Sequence, residues 1–90
     1  MTTIYKYPLT DEAEQLIKLP QGSTPLHVGL DPSGTPCVWA RVTTTKAPAY
    51  YVFFIVPTGG SMPSVYTEYL GTFVDGFFVG HVFWAFSYMK

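Results

Sequence analysis

The chain has 90 residues, five Lys and Arg against six Asp and Glu, and a formal net charge of −1. That length allows one domain with a modest core, and the charge balance leaves no basic excess with which to neutralise a nucleic-acid backbone. Charged residues make up only 12% of the chain and aromatic residues 18%, whereas about a quarter of an ordinary soluble domain is charged; a surface this poor in charge exposes apolar area, which marks a partner site or self-association.

Eight prolines and eight glycines interrupt the chain too often for a long helix. Between them lie short runs rich in Val, Ile, Tyr, Phe and Thr, the signature of strands. "TIYKY", residues 3–7, alternates and predicts a first strand. "EQLIKL", residues 14–19, fits a strand or one helical turn capped from Thr10 or Asp11, and the turn signal "LPQGS" favours the strand. "TPLHVGLDPSGTPCVWARV", residues 24–42, predicts a hairpin. Asp31-Pro32-Ser33-Gly34 has the residue order of a type I turn followed by a glycine bulge. In that register Leu30, Val28 and Leu26 oppose Pro36, Val38 and Ala40 on a core face. His27 opposes Trp39, Gly29 opposes Cys37 and Pro25 opposes Arg41 on the other face.

"TTTKAPA", residues 43–49, is a polar connection, and "YYVFFIVP" after it is apolar on both faces, as a central strand is. "TGGSMPS" reads as a loop, with Pro63 able to start a helical turn through Tyr66. The last hairpin carries Asp75-Gly76, the preferred type I′ pair, which would set Thr72 opposite Val79, Leu70 opposite His81 and Glu68 opposite Phe83. "FWAFSYMK" is the expected exposed edge, blunted only by Lys90. The tract from Phe77 to Met89 is too short and too interrupted to span a membrane, which takes roughly 20 residues. The N-terminus lacks the apolar stretch of a signal peptide, and the lone Cys37 suits a reducing compartment.

Several residue sets could carry function. His27, Cys37, Trp39 and Arg41 share one hairpin face, and Trp and Arg are the residues most enriched at binding hot spots. The plainer alternative is a cross-strand Trp–His pair that only stabilises the sheet. A Cys37–His27 nucleophile pair would need contact at about 3 Å and a third orienting group, and the register makes the two diagonal neighbours instead. One Cys and two His fall short of the usual zinc sets. His81 and Glu68 share a face of the last hairpin and could form a tuned pair. Asp11, Glu12 and Glu14 are the one charge cluster; they could mimic phosphates toward a basic groove or simply be solvated. "PTGGSMPS" lacks the lysine and helix of a phosphate loop.

At "IYKYPL", "LPQGSTPLHVGL", "GTPCVWARV", "PTGGSMP", "YLGTF" and "HVF" the chain resembles a family of uncharacterised small phage and prophage proteins of about this length, a domain of unknown function. The resemblance covers nearly the whole chain. The family pattern has a histidine in "TGHPIP", where this chain has Gly60 and Ser61, and it ends soon after "HVF", where this chain adds "WAFSYMK". The resemblance implies a phage accessory protein, a class that often blocks a host process or defence.

Taken together, these readings predict a single mainly β domain over residues 1–90: a small antiparallel sheet, sandwich or half-open barrel of six or seven short strands with at most one short helix. The expected function is non-catalytic binding, as an inhibitor of a host protein or defence complex of the anti-CRISPR kind. The expected partner-binding residues are Asp11, Glu12, Glu14, His27, Trp39 and Arg41. No cofactor, metal, nucleic acid or membrane partner is expected, and the protein is expected in the host cytoplasm as a monomer or small homo-oligomer. The alternatives are a sponge for a small nucleotide immune signal and a structural, oligomer-forming phage component.

Overall fold

A computed structural model describes residues 1–87. Seven strands follow one another: β1 (Thr2–Pro8), β2 (Glu14–Pro20), β3 (Thr24–Leu30), β4 (Pro36–Thr43), β5 (Pro48–Pro57), β6 (Glu68–Asp75) and β7 (Phe78–Phe86). They form two open antiparallel sheets, one ordered β1-β4-β3 and the other β2-β5-β7-β6. The described residues contain no helix. The mainly β fold expected from the sequence is therefore the fold observed, and "EQLIKL" is a strand. The segment after Pro63 makes no helical turn.

The two sheets share one core. Val38, Ala40 and Val42 of β4 meet Tyr51, Phe53 and Ile55 of β5, with Leu9, Leu19, Val28, Phe73 and Val82 completing the cluster. Burying a large apolar side chain contributes about 1.5–3 kcal/mol relative to leaving it exposed, so this cluster carries most of the fold's stability. Edge strands β3 and β6 lie close together; a Cβ added at Gly71 would stand 3.0 Å from Cγ1 of Val28. Strand β5 is central, as its doubly apolar pattern predicts, and Val52 and Val56 on its second face are buried as well. The buried phenol of Tyr51 donates to the Ser23 carbonyl at 2.7 Å.

The first hairpin turns as expected. Gly34 N–H donates to the Asp31 carbonyl at 2.8 Å and Asp31 N–H to the Thr35 carbonyl at 2.9 Å. Gly34 takes a φ of +84°, the left-handed position that glycine tolerates. His27 pairs with Trp39, Val28 with Val38 and Gly29 with Cys37. Beyond His27 the expected register fails, because a bulge at Leu26 sets Pro25 opposite Ala40 and Thr24 opposite Arg41. Proline lacks the N–H a ladder needs and is accommodated at edges and bulges. Pro25 is consequently buried and Leu26 exposed, the reverse of the expectation.

The last hairpin also differs from the type I′ reading. Asp75 pairs with Phe78, so the two loop residues are Gly76 and Phe77. Gly76 has a φ of +63°, and no other residue type has positive φ. That is the pattern of a type II′ turn, which takes glycine at its first central position and spares Asp75 a left-handed backbone. Partners move by two positions: Thr72 faces His81, and a bulge at Leu70 brings Tyr69 opposite Phe83 and Glu68 opposite Trp84. The expected edge strand is not an edge either. Phe83 to Phe86 belong to β7, which lies between β5 and β6 because β5 pairs with it over seven positions. The end of "FWAFSYMK", residues 88–90, falls outside the described residues.

Candidate functional site

The outer face of the three-stranded sheet holds half of the expected binding residues. Register places Lys6, Trp39 and His27 in one cross-strand row. The His27 and Trp39 rings lie 5.9 Å apart, tilted by 42°. Arg41 follows two residues along β4 on the same face and is exposed. At the turn end, Lys6 Nζ donates to Asp31 Oδ2 at 2.8 Å, while Asp31 Oδ1 accepts from Ser33 N–H at 2.9 Å, Ser33 Oγ at 2.7 Å and Thr35 N–H at 3.0 Å. The Lys6 bond first, and these donors after it, hold the Asp31 carboxyl well below the usual carboxylate range. Asp31 in turn raises the Lys6 ammonium.

Cys37 lies on this same side of the sheet, yet it is fully buried, at 0% exposure. It sits in the central strand between Pro8 and Gly29. Burial pushes its thiol up, with Asp31 adding to the shift and Lys6 opposing it. A nucleophilic cysteine needs the reverse: an accessible sulfur and a stabilised thiolate.

Asp11, Glu12 and Glu14 lie elsewhere, at the β1–β2 connection. Gln15 closes this turn: its Oε1 accepts from Thr10 N–H at 2.9 Å, and its Nε2 donates to the carbonyls of Thr10 at 3.2 Å and Glu12 at 2.9 Å. Asp11 and Glu12 are thus carried on a hydrogen-bonded turn and Glu14 at the start of β2, and all three residues are exposed. Glu12 and Glu14 line a large open groove between this turn, the β5–β6 connection and the end of β7. Its apolar walls include Leu16 (42% exposed), Leu26 (44%), Met62 (56%), Val65 (57%), Tyr66 (81%) and Phe86 (58%). Among the described residues, the charged side chains lining it are Glu12, Glu14 and Glu68, all acidic. The Tyr66 hydroxyl donates to Glu68 Oε2 at 2.5 Å, and this bond raises the phenol.

The expected binding set thus divides. Glu12 and Glu14 belong to the groove, with Asp11 beside them, whereas His27, Trp39 and Arg41 are absent from its lining. The His81–Glu68 pairing does not form. His81 instead shares hydrogen bonds with Thr58 Oγ1 at 2.8 Å and Thr72 Oγ1 at 2.9 Å, because the bulge at Leu70 turns Glu68 to the other side. Met62, Val65 and Tyr66 were not among the expected site residues. Their signal was large apolar side chains inside a Pro-, Gly- and Ser-rich connection, where a plain loop would be polar.

Among the described residues no group of three or more His, Cys, Asp or Glu is placed to hold a metal ion. No helix there is long and apolar enough to cross a membrane. No curated protein and no solved structure matches the chain. A family model described as a domain of unknown function, DUF7352, matches residues 1–87, and the chain belongs to that family.

Proposed function

We propose that this protein acts without catalysis, by docking a partner macromolecule in the acidic-rimmed apolar groove. The observation that carries this reading is the convergence of Leu16, Leu26, Met62, Val65, Tyr66 and Phe86, each at least two-fifths exposed, on one concavity. Contiguous exposed apolar area of this kind is characteristic of binding surfaces, and buried aromatic anchors dominate binding energy. The inaccessible, raised Cys37 thiol argues against a cysteine nucleophile. The finer reading follows from the resemblance to small phage and prophage proteins: the partner is a host or defence protein that the phage gains by blocking, in the manner of an anti-CRISPR protein.

Affinity capture from a bacterial host carrying an active defence system tests this. One defence protein should be retained at mild salt, and phage challenge of cells expressing the chain should show that defence weakened. Retention of no host protein, or undiminished defence, would contradict the proposal. A second reading rests on the outer sheet face, where the Trp39 indole beside the His27 ring, with the exposed Arg41 guanidinium two residues along β4, could stack on a nucleotide signal and meet its phosphate. Thermal shift with cyclic nucleotides separates the two: stabilisation lost in Arg41→Ser would favour the nucleotide reading.

A further inference from the structure

The groove's relation to strand β2 and its charge together describe what kind of segment it takes, an inference that rests on the docking reading above. Residues 13–17 all line the groove. Side chains of consecutive strand residues alternate between faces, so a concavity that touches all five meets β2 along its side. That side is free, because β2 is an edge strand, hydrogen-bonded only to β5 among the described residues. Ile55 N–H donates to the Ala13 carbonyl at 2.9 Å. By the alternation of an antiparallel ladder, the backbone groups of Gln15, Ile17 and Leu19 then face β5, and those of Glu14, Leu16 and Lys18 face outward.

An open row of peptide donors and acceptors beside apolar walls is the arrangement that accepts an added strand. The rim supplies the sign. Glu12, Glu14 and Glu68 are the charged lining residues and no basic side chain joins them among the described residues. Of the described basic residues, Lys6 is bonded to Asp31, Arg41 is on the outer face of the other sheet and Lys46 is in the β4–β5 turn; Lys18 is on β2 itself, outside the groove lining, with its ammonium 5.3 Å from the Tyr50 ring centroid. A second copy of this chain brought on by a two-fold axis would set this rim against itself, and like charges facing each other oppose that pairing. A nucleic acid or an anionic lipid surface is repelled by the same rim.

We infer that the groove captures an extended segment of a partner protein, added as a strand along the outer edge of β2, with apolar side chains alternating with Lys or Arg that meet Glu12 and Glu14. The probe is a synthetic peptide of about eight residues, a usual strand length, alternating Val with Lys. Two controls accompany it: the same peptide with Glu for Lys, and one with Pro at alternate positions, which lacks the ladder donors. Backbone amide NMR of the intact protein reads the outcome. The Lys peptide should shift the amides of Glu14, Leu16 and Lys18, and its Kd should rise roughly fivefold in E12Q/E14Q, as the loss of two exposed charge pairs implies. The Glu and Pro peptides should leave those amides in place.

Equal binding of the Glu peptide overturns the charge assignment, and equal binding of the Pro peptide overturns strand addition. Shifts confined to the Trp39 face, or a stable dimer of the free protein held through β2, overturn the site. Failure here remains distinguishable from failure of the docking reading. A host protein still captured by wild type but lost in Y66S would keep the groove as a docking site while removing its β-strand occupant.

Discussion

At the residue scale, two buried polar groups decide the chemistry that this fold permits. The sulfur of Cys37 has no exposed surface and its thiol is raised, so a disulfide reagent should fail to label the native protein and react only as the chain unfolds. Mass spectrometry across a urea series checks this, with labelling expected to follow the unfolding transition. Tyr51 is the largest fully buried side chain. Tyr51→Phe keeps its packing but strips the Ser23 carbonyl of its hydrogen bond, at a cost of about 1–3 kcal/mol. For a domain of this size each kcal/mol lowers Tm by roughly 4–8 °C, which calorimetry resolves. The sequence placed Cys37 correctly on the side of His27 and Trp39, but alternation reports only which side a residue faces. How much covers that side depends on Lys6 and Pro8, contributed by a strand some thirty positions earlier.

At the element scale, the hairpins show what local chemistry specifies and where it stops. The Asp31 turn was legible because one residue does several jobs: its Oδ1 satisfies Ser33 and Thr35 while its Oδ2 meets Lys6 on another strand. Its folded pKa lies below the usual carboxylate range, so the carboxylate adds stability that is complete above the unfolded value of about 3.9 and is lost as pH falls through the lower folded value. Asp31→Asn should therefore lower Tm at neutral pH, and the gap to wild type should close as the pH drops below about 4. A Tm series across acid pH measures it; a gap that stays constant would contradict the account. The second hairpin was misplaced because Asp-Gly favours a type I′ turn locally, whereas the Phe73–Gly80 and Val74–Val79 pairing stabilises the neighbouring type II′ solution. Phe77 is left fully exposed at its tip. Phe77→Ser should change stability by no more than about 0.5 kcal/mol, as surface substitutions generally do, and chemical denaturation tests that.

At the scale of the whole molecule, the fold class followed from strand-length runs and turn chemistry, but the groove did not. Residues drawn from segments 12–17, 54–56, 61–66, 68–70 and 84–87, with Pro25 and Leu26 of β3, converge there only once the two sheets are assembled. Composition indicates unsatisfied apolar surface, and Asp11, Glu12 and Glu14 mark an acidic turn. What the sequence lacked was the long-range adjacency that joins Glu12 and Glu14 to Met62, Tyr66 and Glu68, and that leaves His27, Trp39 and Arg41 on a separate surface. That separation makes the central claim testable with two double variants, L16S/Y66S on the groove and H27S/R41S on the other sheet, each altering exposed side chains. Binding of the captured host protein to wild type and to both variants, measured by titration calorimetry, is the most direct test. Affinity should fall at least tenfold, a loss of about 1.4 kcal/mol, in L16S/Y66S and remain at the wild-type value in H27S/R41S; the opposite pattern would contradict the claim that the groove is the docking site.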